Sequence, residues 1–544
     1  MLYKNRVFPS IWRSIYLVGG LPYVSLLIWL LPLLLCNSGQ NSLMAHDEGF
    51  YAGRARQMFA SGDWIAPWGS AHHKTPGSYW LIASAYKLLG ISEFSARLPS
   101  AIAGILCLFT IYEIGKIILS KKVAWLTATI LSVEFLWLQS CRLAAPDIPT
   151  ILLVLVAILA LLKAEISPQK SYFWLFIAGL SFSLGFLLRS FVIFLPMVAL
   201  LPYLIGEHRR HRHLFNPMLY LGLVVGVIPT LAWLWLSWLR YGSESFGQLL
   251  GFVVELGSDD RNHNGFFFYF WNLPLKSFPW FFFSLLGLAV VIRHPIPRYQ
   301  LILVGFPLVL LAELSIFSTR LSHYALCLYP FIALLAAVAL DWLGNIYQMG
   351  FIHQAKSLRS QAKNHLPRNL SYALGIFSIV LIFTGILALN YGDFYLRQRA
   401  TLCLILGLGW LIVPLIWIAR YHFGQKFLTD NYWLASWLIP CWLTLAMAGN
   451  LGFLGDYNPN FKAFFQQPAI ASILQTHPVY FSQVEDKNSV LLNFYTPIPA
   501  ARVSAISQVP ILSYAWISAN NQQLSTPYRV IATLQEYQLI QVLP

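Results

Sequence analysis

The stretch "HDEGFYAGRARQMFASGDW", residues 46–64, sets two adjacent acids, Asp47 and Glu48, ahead of two arginines and a Gly-Asp-Trp turn. A carboxylate can take a proton from an attacking group or align it. A second acid, Asp147 in "AAPDIPT", stands where another apolar run begins. Cations occupy similar places: Lys74 in "HHKTPGSYW", Arg142 in "SCRLAAPDIP", Arg189 in "FLLRSF" and Arg320 in "FSTRLSH". Ammonium and guanidinium groups bind phosphate oxygens, arginine in paired hydrogen bonds. Taken singly, each acid reads equally as a helix cap and each arginine as a side chain snorkelling to headgroups. Together, acids and cations at the ends of apolar runs point to one anionic ligand and a proton transfer beside it.

The elements that must position these groups are membrane helices. Hydrophobic residues make up 58% of the chain and charged ones 10%, against about 25% charged in soluble domains. The net charge of +15 lies in short clusters between apolar runs, as membrane topology requires, and not in a nucleic-acid footprint. All six cysteines lie in or beside apolar runs without paired spacing, so neither a disulfide framework nor a zinc site is indicated. "LLLC" at 33–36 lacks the small residues of a lipoprotein cleavage box, so the first run reads as an uncleaved span.

About thirteen runs are long enough to cross a bilayer: 15–36, 97–119, 123–141, 148–163, 172–188, 190–206, 217–239, 278–292, 299–317, 322–343, 370–390, 401–419 and 430–450. Basic clusters orient them. With Lys4, Arg6 and Arg13 in the cytoplasm, the pairs Lys121/Lys122 and Lys163/Lys170 fall on the same side, as do Arg209/Arg210, Arg293/Arg298 and Arg420/Lys426. Segments 37–96, 240–277 and 451–544 then lie outside. Helical spacing of Phe50, Tyr51, Ala55, Met58 and Phe59, with Gly62 as a stop, predicts an amphipathic surface helix; Pro76 and Gly90 bracket a second. In the last segment "SVLLNFYTP" and "YRVIATL" alternate like strands, and "SANNQQLSTP" is turn-rich. The expected fold is an all-α polytopic membrane protein over 1–450, with interfacial helices roofing a cavity, and a small soluble α/β domain over 451–544. Glu134 and Glu313, within or near spans, are left unassigned.

These segments carry a family resemblance. "HDEGFYAGRARQMFASGDWIAPW", "HHKTPGSYW" and "EFSARLPSAIAGI" resemble the first outer loop of the lipid-linked sugar transferases of the GT-C superfamily, and most of all the aminoarabinose transferases of lipid A and the protein O-mannosyltransferases. "CRLAAPDIPTILL", "LGFLLRSFVIFLP", "HNGFFFYFWNLPLKSFPW" and "FSTRLSHYALCLYPFIALL" are similar to later elements of that family. The chain departs from the family at Thr75, where a proline is usual, at Ser190 for glycine, and at Arg189 and Arg320 for lysine. The likeness runs over about residues 10–345; beyond them it rests on the number of spans.

The resemblance implies an inner-membrane glycosyltransferase with its active site facing the periplasm. The sugar comes from a polyprenyl phosphate and goes to a lipid A-like glycolipid, a glycan or a protein. An external site has no nucleotide supply, which agrees with a lipid-borne donor. Asp47 is the implied base or orienter, with Asp147 and Glu48 as partners, and a single displacement inverts the anomeric carbon. Lys74, Arg189 and Arg320, with Arg142 nearby, are implied at the lipid phosphate; Tyr51, His263, Tyr269 and Tyr324 are implied at the substrate. No cofactor is required; a divalent cation near His46, His72 and His73 is the open alternative, although the spacing has no strong ligand pattern. The competing class is a transporter or flippase. Such proteins tend to show internal repeats, and none is visible here.

Overall fold

A backbone in lipid must satisfy its polar groups internally, so long apolar runs become helices. The computed structural model describes residues 20–258, 264–349, 358–455, 458–484, 489–519 and 526–544. Among them, eight helices are long and apolar enough to cross a membrane, or up to ten if each of two bent pairs is one span. Leu21–Leu35 and Leu301–Ile316 are shorter apolar helices. The expected count of about thirteen is not reached by that measure. The difference centres on Pro168–Gly206, one apolar stretch of 39 residues where two spans were expected. Its backbone turns at Ser190, whose φ is +51°. The rings of Phe186 and Phe194 lie 5.8 Å apart, whereas a straight helix separates residues eight apart by about 12 Å. The two bent pairs are Lys121–Ser132 with Phe135–Cys141, at 72°, and Phe268–Lys276 with Trp280–Arg293, at 109°. Glu134 lies in the first break and Ser277 in the second, and the Ser277 hydroxyl donates to Glu134 Oε2 at 3.0 Å.

Three helices shape one face of the bundle. Helix α1 is Asp47–Ser61, ended by Gly62 at φ +70°. Helix α2 is Gly77–Leu89, closed by Gly90. Helix α3, Glu93–Ile118, opens with a capping box between Ser92 and Ser95 and enters the bundle. Both surface helices expected from spacing are present. Two further helices lead from the bundle to the same face: α4, Asp147–Ile166, and α5, Ser171–Arg189.

The last segment forms a five-stranded sheet: β1 (Val479–Ser482), β2 (Pro499–Val503), β3 (Tyr514–Ser518), β4 (Tyr528–Leu534) and β5 (Tyr537–Val542), in the order β2-β1-β3-β5-β4. β1 pairs parallel with β2 and β3, whereas β5 is antiparallel to β3 and β4. "YRVIATL" is β4, as expected. "SVLLNFYTP" is not a strand: Ser489–Tyr495 is a helix that buries Leu491, Leu492 and Phe494. A short apolar run has no period of its own and takes the form its neighbours need. Here the neighbour is α1. A Cβ on Gly49 would meet Leu491 Cδ2 at 2.9 Å, so glycine permits the approach. Most of "SANNQQLSTP" lies outside the described residues.

One apolar core fills the bundle. A second joins Tyr51, Ala55 and Met58 of α1 and Tyr79 and Tyr86 of α2 to Phe461, Leu491, Trp516 and Leu539. Polar ties reinforce it. The Tyr495 hydroxyl accepts from the Leu43 amide at 3.2 Å and donates to Glu93 Oε1 at 3.1 Å. Lys462 reaches the same carboxylate at 3.1 Å. The C-terminal sheet and the segment carrying α1 and α2 therefore lie on one face of the bundle.

Candidate active site

A cavity of about 1150 Å³ opens beneath α1, lined by Asp47, Tyr51, Lys74, Asp147, Arg189 and Tyr324, among others. Six of the residues expected from sequence thus share one space, although they come from four separate segments. Asp47 is the first residue of α1 and Asp147 the first of α4. Both are held at N-termini, where helix dipoles favour negative charge. His46, just before Asp47, has φ +73°, an uncommon conformation for a side-chain-bearing residue.

Arg189 ends α5 and pairs with Asp147. Its guanidinium lies 5.5 Å from the Tyr324 ring centroid. Asp147 takes one of five N–H donors, so the fork keeps capacity for a second anion. Lys74 stands 4.8 and 4.9 Å from the ring centroids of Phe50 and Tyr51, close enough for cation–π attraction. The backbone beside it is fixed to the turn after α5. Thr75 and Ser190 exchange hydrogen bonds, with their hydroxyls 3.1 Å apart and each amide donating to the other's hydroxyl. Ser78 adds a bond to the Leu188 carbonyl at 3.0 Å. Lys74 and Arg189 are thereby set at the same wall.

Glu48 faces away from the cavity. It is fully buried and pairs with Arg97 Nε at 2.7 Å. It also accepts from the amides of Met44 at 2.7 Å and Ala144 at 3.0 Å. Arg97 in turn donates to the carbonyls of Ser38, Asn41 and Ser42. One buried ion pair thus joins the loop before Asp47 to the loop before Asp147. The expected partnership of Glu48 with Asp47 in the cavity gives way to a scaffold beneath it. Every lone pair of the buried carboxylate that finds a donor removes part of its desolvation cost.

Arg142 also lies elsewhere. It is buried and donates to the carbonyls of Leu33, Leu34 and Cys36, so it seals the end of Leu21–Leu35; burial pushes its pKa down to about 10. Arg320 donates to the carbonyls of Ser315 at 3.0 Å and Asn264 at 2.7 Å. Tyr269 is buried and donates to the Leu321 carbonyl at 3.1 Å. None of these three lines the cavity. His263 lies outside the described residues.

The cavity also gathers Lys276 and His323, which the sequence did not single out, together with His46 and His73, named there only for a possible cation, and Glu313, left there without a role. Lys276 was visible inside the quoted "PLKSFPW" but lacked a second signal. Arg97 was visible as a charge within an apolar helix; its partner lies 49 residues away and is found only by folding. Of the titratable groups outside the spans, Tyr51 is raised by burial, partly offset by Arg189. His72 falls well below 6.5 through burial and then through His73, Arg54 and Lys74. His72 bonds to the Tyr79 hydroxyl at 2.8 Å. Among the described residues, one group could bring three ligand atoms within 4.8 Å of one another: Glu165, His211 and His213. It is outside the cavity, and Arg210 and Arg298 already pair with Glu165.

A model of the dolichyl-phosphate-mannose-protein mannosyltransferase family matches residues 73–236. An uncharacterized protein of Aquifex aeolicus is 23% identical over 58% of this chain, which spans 63% of that relative. The undecaprenyl phosphate-α-4-amino-4-deoxy-L-arabinose arabinosyl transferase of Shewanella sediminis is 25% identical over 73% of this chain and 70% of its own. The structure of ArnT from Cupriavidus metallidurans bound to undecaprenyl phosphate superposes with a TM-score of 0.72 over 98% of both chains, at 18% identity. The oligosaccharyltransferase of Archaeoglobus fulgidus gives 0.50 over 92% of this chain and 66% of its own, at 15% identity. The fold is that of the GT-C class, and with the family model and the relatives it marks a membrane glycosyltransferase using a lipid-phosphate-linked sugar. Within that class the chain resembles the ArnT aminoarabinose transferases and the protein mannosyltransferases.

Proposed function

We propose that this chain moves a sugar from a polyprenyl phosphate to an acceptor on the outer side of the bacterial inner membrane, with inversion. The acceptor is a lipid A-like glycolipid, a glycan or a protein. The N-terminus lies in the cytoplasm, and the cavity and the C-terminal domain face the periplasm. The observation that carries the reading is the convergence of Asp47, Lys74, Asp147 and Arg189 on one cavity.

Lys74, with Lys276 and the Arg189 fork, receives the donor phosphate. As the bond between the anomeric carbon and the phosphate oxygen breaks, the electron pair leaves with the phosphate, and these cations offset the growing charge. Asp47 takes the proton from the acceptor hydroxyl as its oxygen attacks from the opposite face. For an acceptor that is itself a phosphate, Asp47 positions it and no proton need move. Asp147 holds Arg189 in place. Glu48 acts through Asp47 by fixing the loop ahead of it. This reading assigns no resident metal, and turnover is expected to persist in a chelator.

The experiment is turnover of an undecaprenyl-phosphate sugar by purified enzyme in nanodiscs, with release of undecaprenyl phosphate as the readout. Release that requires acceptor supports transfer. Vectorial movement of the intact donor without release would support a flippase instead.

A further inference from the structure

The two bends of the bundle meet at one hydrogen bond. Glu134 stands just before Phe135–Cys141, at the 72° bend after Lys121–Ser132. Ser277 follows Phe268–Lys276, at the 109° bend before Trp280–Arg293. Both residues are fully buried. Ser277 is the joint of its own bend: its amide donates to the Leu273 carbonyl at 2.9 Å, and its carbonyl accepts from the Phe281 amide at 3.0 Å. Its hydroxyl donates to Glu134 Oε2 at 3.0 Å. The neighbours of these two residues also meet. Lys276 Nζ lies 5.5 Å from the Phe135 ring centroid, within range of cation–π attraction. Residues 134 and 135 thus hold residues 277 and 276 by two different contacts.

The other oxygen of Glu134 is closed to solvent and takes no hydrogen bond among the described residues. A buried acid so placed costs stability, and an apolar side chain would pack there without that cost. What the bond secures is the place of Lys276. Lys276 lines the cavity, and so do Leu136, Gln139 and Ser140 from the helix that follows Glu134. Lysine is a flexible stem ending in a point charge, so where its ammonium stands depends on where its backbone is held. Lys276 sits one residue from a 109° joint, where a small change of bend shifts the ammonium within the cavity.

We infer that Glu134 is a positioning residue for the phosphate site: through its bond to Ser277 it fixes the bend that aims Lys276 into the cavity. The inference rests on the proposed role of Lys276 at the donor phosphate, and it adds to that site a residue that does not line the cavity.

The test uses full-length protein in nanodiscs, with binding of undecaprenyl phosphate read by native mass spectrometry and the uncharged alcohol undecaprenol as the comparison probe. Lys276→Met is expected to weaken undecaprenyl phosphate by about tenfold, the scale of a charge-assisted hydrogen bond. Ser277→Ala, which removes only the hydroxyl, is expected to weaken it by roughly three- to tenfold. In the Lys276→Met background the same Ser277→Ala change is expected to add less than about twofold, because its effect passes through the lysine. Glu134→Leu is expected to match Ser277→Ala, and Glu134→Gln, which keeps an acceptor, to stay within about twofold of wild type. Undecaprenol binds all variants as it binds wild type. Wild-type affinity in Ser277→Ala, or a loss of the same size with and without Lys276, overturns the inference. A loss in Glu134→Gln as large as in Ser277→Ala overturns it too, since the acceptor is still present. Wild-type affinity in Lys276→Met instead overturns the role of that lysine in the phosphate reading beneath.

Discussion

Thr75 and Ser190 hydrogen-bond to each other through both hydroxyls and both amides. They are also two positions where the chain departs from the family pattern, which has proline and glycine there. Ser190 keeps the positive φ of a glycine, +51°. The two departures compensate one another, because a serine at that turn gains the partner that a proline could not supply. Thr75→Pro alone is expected to lower stability by about 1–3 kcal/mol, since it removes a donor and an acceptor from buried partners. Thr75→Pro combined with Ser190→Gly is expected to lie nearer wild type. Thermal unfolding of the four proteins checks this, and additive losses would count against the coupling.

Asp47→Asn separates a cap from a working acid. Asparagine caps a helix nearly as well as aspartate, but it neither takes a proton nor offers a full charge. Sugar transfer is expected to fall by about 10² or more with unfolding temperature near wild type. Normal turnover would leave Asp47 as a cap.

The phosphate site can be tested against the sequence-level expectation. Lys74→Ala is expected to weaken binding of undecaprenyl phosphate by about tenfold, on the scale of a charged hydrogen bond. Arg320→Ala is expected to leave that affinity within about twofold, because its guanidinium is spent on the carbonyls of Ser315 and Asn264. Equal losses in the two variants would return Arg320 to the site.

The Glu48–Arg97 pair should behave as a buried scaffold. Breaking it by Glu48→Gln or Arg97→Met is expected to cost about 3–5 kcal/mol, because each change strands a charge. The double variant is expected to recover part of the loss. A double-mutant cycle on unfolding free energy reads the coupling, and independence of the two losses would contradict the geometry.

His72 gives a pH dependence. Burial holds its folded pKa below the unfolded value of 6.5, so below about pH 6.5 the unfolded chain binds the proton first. Its stability term is whole above that pH and is lost as pH falls, by at most about 1.4 kcal/mol per pH unit. His72→Gln is expected to flatten this slope between about pH 6.5 and 5. An unchanged slope would place the titration elsewhere.

Asp147 and Arg189 were legible because charge is rare in this chain and each stood at the end of an apolar run. Which way an arginine points was not legible. Arg142 and Arg320 sit at helix ends like Arg189, yet they serve backbone carbonyls, and composition cannot distinguish a carbonyl from a phosphate. Glu48 was read with Asp47 because it adjoins it. Adjacent residues of a helix point about 100° apart, and here that turns Glu48 into the core while Asp47 lines the cavity. The strand expected at Ser489–Tyr495 failed for want of length, since seven residues fit either period.

The helix that carries Asp47 shares its apolar core with residues drawn from 461–539. In the order of synthesis, α1 emerges near the start and that core is completed near the end. The Asp47 side of the cavity is thus among the first segments to be made and among the last to be finished. A nascent chain holds Asp47 on an unsupported helix until the sheet arrives on the same side. A substitution in that core, more than 400 positions further along the sequence, therefore acts on the helix that carries Asp47.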